Sequence, residues 1–326
     1  MANLDRRNFL KASVITAGAG SAMVLAACSN KTPQNSGSAA GSAAGSASSA
    51  SNDAAKAEKA AAFKASYPVA TTTDEAKALA THEAGKLTIA TGEPAWPPYV
   101  MDDAPETGEG FEAAVAYAVA AQLGFAYDDV VWVRTSFDNA ITPGDKDWDV
   151  NIQQFGITEE RKAAVDFSSP YFTPTQSVVV DAAKDHDKFA KATSLSELKD
   201  ASIGMDASST ALAWTQEKIG NNVQPLGDTV DSASQLNLHQ IDGVVTDTPT
   251  AVYMANPDNG ELDNAKLIGQ IPGSKAEPLA FILPKGSKLT APVTAAVDAL
   301  TKDGKIEELT KQWMAEYTTE IPTLSE

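Results

Sequence analysis

The chain has 326 residues, with 43 acidic against 25 basic side chains and a formal charge of −18 at pH 7. So acidic a surface repels nucleic-acid phosphates and anionic lipid headgroups, which argues against a nucleic-acid partner or a basic membrane-binding face. Cys28 is the single cysteine, so no disulfide framework exists, and the histidines His82, His186 and His239 stand in unrelated stretches that support neither a zinc site nor a histidine-based triad.

From the amino terminus, Arg6-Arg7 precede a run of small apolar residues that ends at Leu25-Ala26-Ala27-Cys28. Paired arginines before such a run read as a twin-arginine export leader, residues 1–27. The small residues before Cys28 read as a lipoprotein processing site, which would put a diacylglyceryl chain on its thiol and make Cys28 the new amino terminus. An uncleaved anchor is the alternative, but Lys11–Ala27 is only about 17 residues and contains Gly18, Gly20 and Ser21, a poor span. The expected location is the outer face of the cytoplasmic membrane, with the lipid as the membrane attachment. Loss of the leader removes Arg6, Arg7 and Lys11 against Asp5, leaving the rest more acidic still.

Residues 28–52 are mostly Ser, Gly and Ala and read as a flexible tether of roughly 25–30 Å root-mean-square reach. Residues 53–84 are richer in Ala, Lys and Glu, with Phe63 and Tyr67. They suit one or two short helices, either packed on the domain or extending a stalk. From Gly85 onward strands and helices alternate. Lys86–Thr91 is a strand, and Phe111, Ala114, Val115, Ala118, Val119 and Leu123 mark one buried helical face ending at Gly124. Val130–Val133, Asp149–Ile152 and Gln176–Val180 read as strands. Ser194 and Glu197 have capping-box spacing. Ala201–Met205 is a strand, and Ser208-Ser209-Thr210 opens a helix. Gly243–Thr246 is a short buried strand, with Asp247-Thr248-Pro249 opening another helix. Pro278–Leu283 is a late strand, and helices near 290–301 and 304–316 close the chain. This alternation predicts α/β architecture with largely parallel sheets.

Several stretches in this order resemble the polar amino-acid solute-binding proteins of ABC importers, which have the type II periplasmic-binding-protein fold. They are Thr91–Tyr99 (TGEPAWPPY), Gly110-Phe111-Glu112, Ile157–Arg161 (ITEER) with Val165–Tyr171 (VDFSSPY), Asp242–Asp247 (DGVVTD), and Asp303-Gly304 followed by Trp313. The resemblance spans about residues 85–316. It implies two α/β lobes joined by two crossing hinge strands: lobe 1 from 85–177 and 277–326, lobe 2 from 182–272. It also implies a ligand in the cleft, no cofactor, no metal and no catalytic residue, a permease partner and a monomer.

A free amino acid carries a carboxylate and an ammonium on one carbon, so its receptor needs a cation facing an anion. Arg161 suits the carboxylate through its planar fork; a surface arginine following Glu159 and Glu160 is the competing reading. Asp247 follows a buried strand, the end at which α/β sheets bind ligands, and suits the ammonium; it could equally be a helix cap. Ser209 and Thr210 offer donors at a helix start, with Ser208 standing where the family usually has glycine. By resemblance Trp96 and Phe137 face the ligand side chain, though core packing would also use them. Gln153, Gln154 and Gly156 fall in the stretch before Arg161. Glu93 and Asp206 fall where they could reach the ligand's distal end, which would favour a basic amino acid, with glutamine or another neutral polar one second. The resemblance leaves two alternatives: a cyclic-acid dehydratase on the same fold, and a sensory lipoprotein.

Overall fold

The structure is a computed structural model that describes residues 43–220, 222–259, 261–274 and 277–326. The expected leader, Cys28 and the first part of the tether lie outside the described residues. Helices are α1 (Ala43–Ser66), α2 (Asp74–Lys77), α3 (Phe111–Leu123), α4 (Phe137–Ile141), α5 (Glu159–Ala164), α6 (Leu212–Ile219), α7 (Thr229–Asn237), α8 (Thr248–Ala255), α9 (Thr290–Lys302) and α10 (Lys305–Thr318). Strands are β1 (Leu87–Thr91), β2 (Val130–Arg134), β3 (Val150–Asn151), β4 (Val165–Phe172), β5 (Gln176–Asp181), β6 (Ile203–Asp206), β7 (Val223–Leu226), β8 (Gly243–Asp247), β9 (Ala265–Gln270) and β10 (Leu279–Pro284).

Two sheets form, in the orders β2-β1-β3-β10-β4 and β7-β6-β8-β5-β9. In each, four strands run in one direction, and one, β10 or β5, is inserted antiparallel between the third of them and the edge strand. The prediction of largely parallel sheets therefore holds for four of the five strands in each, the exceptions being β10 and β5. The reason is the double crossing: β5 and β10 each enter their sheet from the other lobe, against the direction of the βαβ strands. The chain crosses at Thr173–Thr175 and again between β9 and β10, as the two-lobed type II fold requires.

Both sheets are covered on both faces. Alternate residues point to opposite sides of a strand, so Leu87 and Ile89 of β1 join one apolar cluster while Ala90 joins another. Val178 and Val180 of β5 are likewise separated from Val179. Helix α3 is buried on nearly every side, not on one face as its spacing predicts, and Glu112 is its one charged residue. At its start, Gly110 has φ 102°, and an added Cβ would stand 2.5 Å from the Tyr99 carbonyl oxygen, so no larger residue fits.

Three elements depart from the sequence reading. Helix α1 starts at Ala43, inside the stretch read as tether, because its many alanines carry the strongest helix preference of any residue. It packs on lobe 1. Phe63 lies edge-on to Tyr117 with ring centroids 4.8 Å apart, and Tyr67 also meets Tyr117 and Tyr127. Lys59 pairs with Glu109 at 2.7 Å and Asp102 at 3.0 Å. Helix α6 begins at Leu212, after Ser209 and Thr210, because Asp206 captures the Ser208 N–H and hydroxyl in a local turn. The chain's last residues, expected on lobe 1, join lobe 2: Leu324 N–H donates to Gln270 O at 2.9 Å, and Leu324 is buried in the lobe 2 core.

Candidate ligand-binding cleft

Where the lobes face each other lies a cavity of about 210 Å³. That is below the roughly 300–1,000 Å³ of pockets for drug-sized ligands, so it suits a smaller solute. Glu93, Trp96, Phe137, Gln153, Gln154, Gly156, Arg161, Asp206, Ser209, Thr210 and Asp247 all line it. The structure thus brings together on one cavity every residue singled out in the sequence for the ligand site.

Arg161 sits in the first turn of α5, whose cap is the Thr158 hydroxyl accepting the Arg161 N–H at 3.1 Å. This turn swings the guanidinium into the cleft. Nη1 donates to the Gly156 carbonyl at 3.0 Å and Nη2 reaches across to the Ser208 carbonyl of lobe 2 at 2.7 Å. The guanidinium carbon lies 5.0 Å from the centre of the Phe137 ring, within cation–π range. Phe137 in turn rests on Phe155, with centroids 4.7 Å apart, so it serves core and cleft together. Burial lowers the Arg161 pKa, against the pull of Asp206 and Glu160.

Asp247 ends β8 and caps α8, accepting the Thr250 N–H at 3.1 Å. Cap and cleft roles coexist, because the same Oδ1 accepts the Tyr99 hydroxyl at 2.9 Å from the opposite lobe. Desolvation raises the Asp247 pKa, and these hydrogen bonds oppose it. Asp206 is also raised, by desolvation, against the bonds from Ser208. Because α6 starts late, Ser209 and Thr210 lie in a turn, and among the described residues the Thr210 N–H has no hydrogen-bond partner. Gly156 approaches this turn closely: an added Cβ would stand 3.4 Å from the Thr210 side chain and 3.0 Å from Glu277.

The loop carrying Glu93 and Trp96 is held by Arg134, which donates to the Gly92 carbonyl at 2.8 Å and to Asp103 Oδ1 at 2.7 Å. Trp96 crosses the cleft to pack against a lobe 2 cluster. Gln154 adopts φ 50° and donates its backbone N–H to Glu112 at 2.8 Å, with its side-chain amide on the same carboxyl. Its amide is thereby committed to the wall. Gln153 differs: its Oε1 is buried with no partner among the described residues.

Four contributors escaped the sequence reading. Tyr99 and Glu112 stood inside quoted motifs without an assigned role, and Asp228 on lobe 2 and Glu277 stood outside any. Glu112 is wholly buried, also accepting the Tyr171 hydroxyl, and burial pushes its pKa up to about 7. The available signal was a lone carboxylate in an otherwise uncharged helix. Among the described lining residues Arg161 is the one cation, facing Glu93, Asp206, Asp228, Asp247 and Glu277.

The profile of a family described as bacterial extracellular solute-binding proteins, family 3, matches residues 87–316. An arginine-binding periplasmic protein of Mannheimia haemolytica is 27% identical over 232 residues, covering 68% of this chain and 89% of its own. An L-cystine-binding protein of Escherichia coli (strain K12) is 26% identical over 258 residues, covering 78% and 92%. Among solved structures, an ancestral arginine-binding protein bound to glutamine superposes with a TM-score of 0.57 at 28% identity, covering 72% of this chain and 99% of its own.

Proposed function

The chain belongs to family 3 of the bacterial extracellular solute-binding proteins, the amino-acid receptors of ABC importers, and on that premise we propose that it captures a basic amino acid. The observation that carries the choice is the cleft's charge: one guanidinium among five carboxylates. A zwitterion needs one ion of each sign, and Arg161 and Asp247 supply them. The surplus carboxylates then favour a second positive charge on the ligand. A neutral amino acid would leave the remaining carboxylates repelling one another across a narrow space.

In this reading the ligand carboxylate takes the place of the Ser208 carbonyl on the Arg161 fork and accepts the Thr210 N–H. The ammonium joins Asp247 beside the Tyr99 hydroxyl, with Gln153 Oε1 as a further acceptor. Trp96 and Phe137 flank the side chain, and its cationic end meets Glu93, Asp206 or Asp228. Arg161 and Gln153 belong to lobe 1, Asp247 and Thr210 to lobe 2, so the ligand binds the closed arrangement better than the open one. That difference is what drives closure. The closed form is presented to a permease, and the solute leaves unchanged. Cys28 is the proposed lipid attachment, with export by the twin-arginine route.

A thermal-shift and calorimetric screen of the purified protein against the twenty amino acids and ornithine tests this. Arginine, lysine or ornithine should bind, raising stability by about 2.7 kcal/mol at one hundred times the dissociation constant. Binding of neutral amino acids alone would overturn the charge argument, and a flat screen would overturn the amino-acid reading. Recovery of the ligand in altered form would instead favour the dehydratase alternative. Replacing Cys28 by serine should move the protein from the membrane to the soluble fraction.

A further inference from the structure

Two histidines that the sequence places in unrelated contexts meet on lobe 2. His186 is on the loop after β5 and His239 follows α7, yet their rings stack with centroids 4.1 Å apart and planes 9° apart. Asp181, the last residue of β5, lies against them with its side chain only 4% exposed. Its Oδ2 is 2.5 Å from Nδ1 of His239, while Oδ1 accepts the Ala183 N–H at 2.8 Å, which locks the carboxylate's orientation. One donor atom from each of the three residues lies within 4.8 Å of the others. No hydrogen bond from the His186 ring is found among the described residues.

The cluster is separate from the cleft. Strand β5 has Gln176 at the cleft and Asp181 at its far end; at about 3.3 Å per residue the two are roughly 17 Å apart. Beside the cluster is a cavity of about 50 Å³ lined by Asp181, His239, Asn237, Asp263 and Asn264, large enough for a water. His239 holds φ 56°, a left-handed conformation unusual for a non-glycine residue.

Two imidazoles and a carboxylate form a donor set suited to a divalent transition cation, and three protein ligands leave a fourth position for water. We propose that Asp181, His186 and His239 bind one divalent cation of the zinc type, a clip joining β5, its following loop and the turn after α7. Metal–ligand bonds of about 2.0–2.2 Å require the three donors to draw closer around one point. Both rings are exposed enough to turn, while the buried carboxylate is already fixed.

The test is calorimetric titration of the chelator-stripped protein with Zn²⁺, followed by visible spectroscopy of the Co²⁺-loaded form. One ion per chain is expected. His186→Ala and His239→Asn should each weaken binding at least about tenfold, the lower bound even for outer-shell losses at metal sites. His82→Ala should leave it unchanged. Asparagine tolerates the left-handed backbone at 239, and His186 is exposed, so both variants should keep the wild-type circular dichroism spectrum. Co²⁺ should give the intense visible bands of a low-coordinate site, lost in His186→Ala. Absence of stoichiometric binding, or binding that survives both substitutions, overturns the proposal. Amino-acid affinity unchanged in His186→Ala would separate this site from the cleft.

Discussion

Lobe 1 and lobe 2 are built on one strand plan, four strands in one direction and one inserted against them, but they are filled and charged differently. Lobe 1 has an aromatic core of Phe111, Tyr117, Tyr171 and Phe281, extended outward by Phe63 and Tyr67 of α1. The lobe 2 clusters that sandwich its sheet are mainly aliphatic. Lobe 1 carries the cleft's guanidinium on an aromatic platform, and lobe 2 faces it with Asp206, Asp228 and Asp247. One topology therefore carries two chemistries: a wall that presents a cation on aromatic rings, and an acidic wall opposite it.

The largest effect expected from breaking this division is at Arg161. Arg161→Ala removes a charge-assisted fork worth about 3 kcal/mol, so affinity for the bound amino acid should fall about a hundredfold by calorimetry. The melting temperature of ligand-free protein should move little. Unaltered affinity would remove Arg161 from the site.

Next is Glu112, the buried carboxyl behind the lobe 1 wall. Burial lifts its pKa from the ordinary 4.5 to about 7, so the folded state keeps the proton between those values. Its stabilising contribution is complete below pH 4.5 and declines as pH rises to 7, by about 3 kcal/mol. Glu112→Gln, with Gln154 flipped to accept, should abolish that slope in denaturant titrations at successive pH values. Parallel pH profiles for the two proteins would contradict the burial argument.

On the outer side of lobe 1, Phe63→Ala should cost about 2 kcal/mol, roughly half the penalty of a fully buried phenylalanine. The loss should fall on lobe 1, seen as faster amide exchange in α3 and unchanged exchange in β5 to β9. Equal loosening of both lobes would mean that α1 is not a lobe 1 element.

The smallest effect is at the contact between walls. Tyr99→Phe removes the hydroxyl from Asp247, so Asp247 should titrate slightly higher, and affinity should change less than tenfold, since the ligand ammonium can satisfy the freed carboxylate. Affinity should also fall on acidification as Asp247 takes up a proton above the usual aspartate range. A pH-independent affinity between 4 and 7 would place the ammonium elsewhere.

The central strands and the cleft residues were legible because their local signals and structural roles coincide. Buried β5, β8 and β10 are built around the apolar runs Val178–Val180, Val244-Val245 and Leu279–Leu283, and Arg161 and Asp247 sit in motifs next to caps. Strands β4, β7 and β9 escaped notice. All three are edge strands, where Pro170, Pro225 and Lys266 are tolerated because one side of the strand is unpaired. The meeting of His186 with His239 was invisible for another reason: it depends on β5 lying beside β8 and on the turn after α7, a relation between segments distant in sequence. Glu112 was quoted within a motif, yet its role follows only from the complete burial of α3.

The carboxyl-terminal residues end on lobe 2, while α1 is fastened to lobe 1. The two ends of the described chain therefore ride on opposite halves of the hinge. With Cys28 the sole thiol, a Cys28→Ser background carrying Glu58→Cys and Glu326→Cys would accept a donor and an acceptor fluorophore without touching the cleft. The energy transfer between them would read lobe opening and closing directly, one molecule at a time.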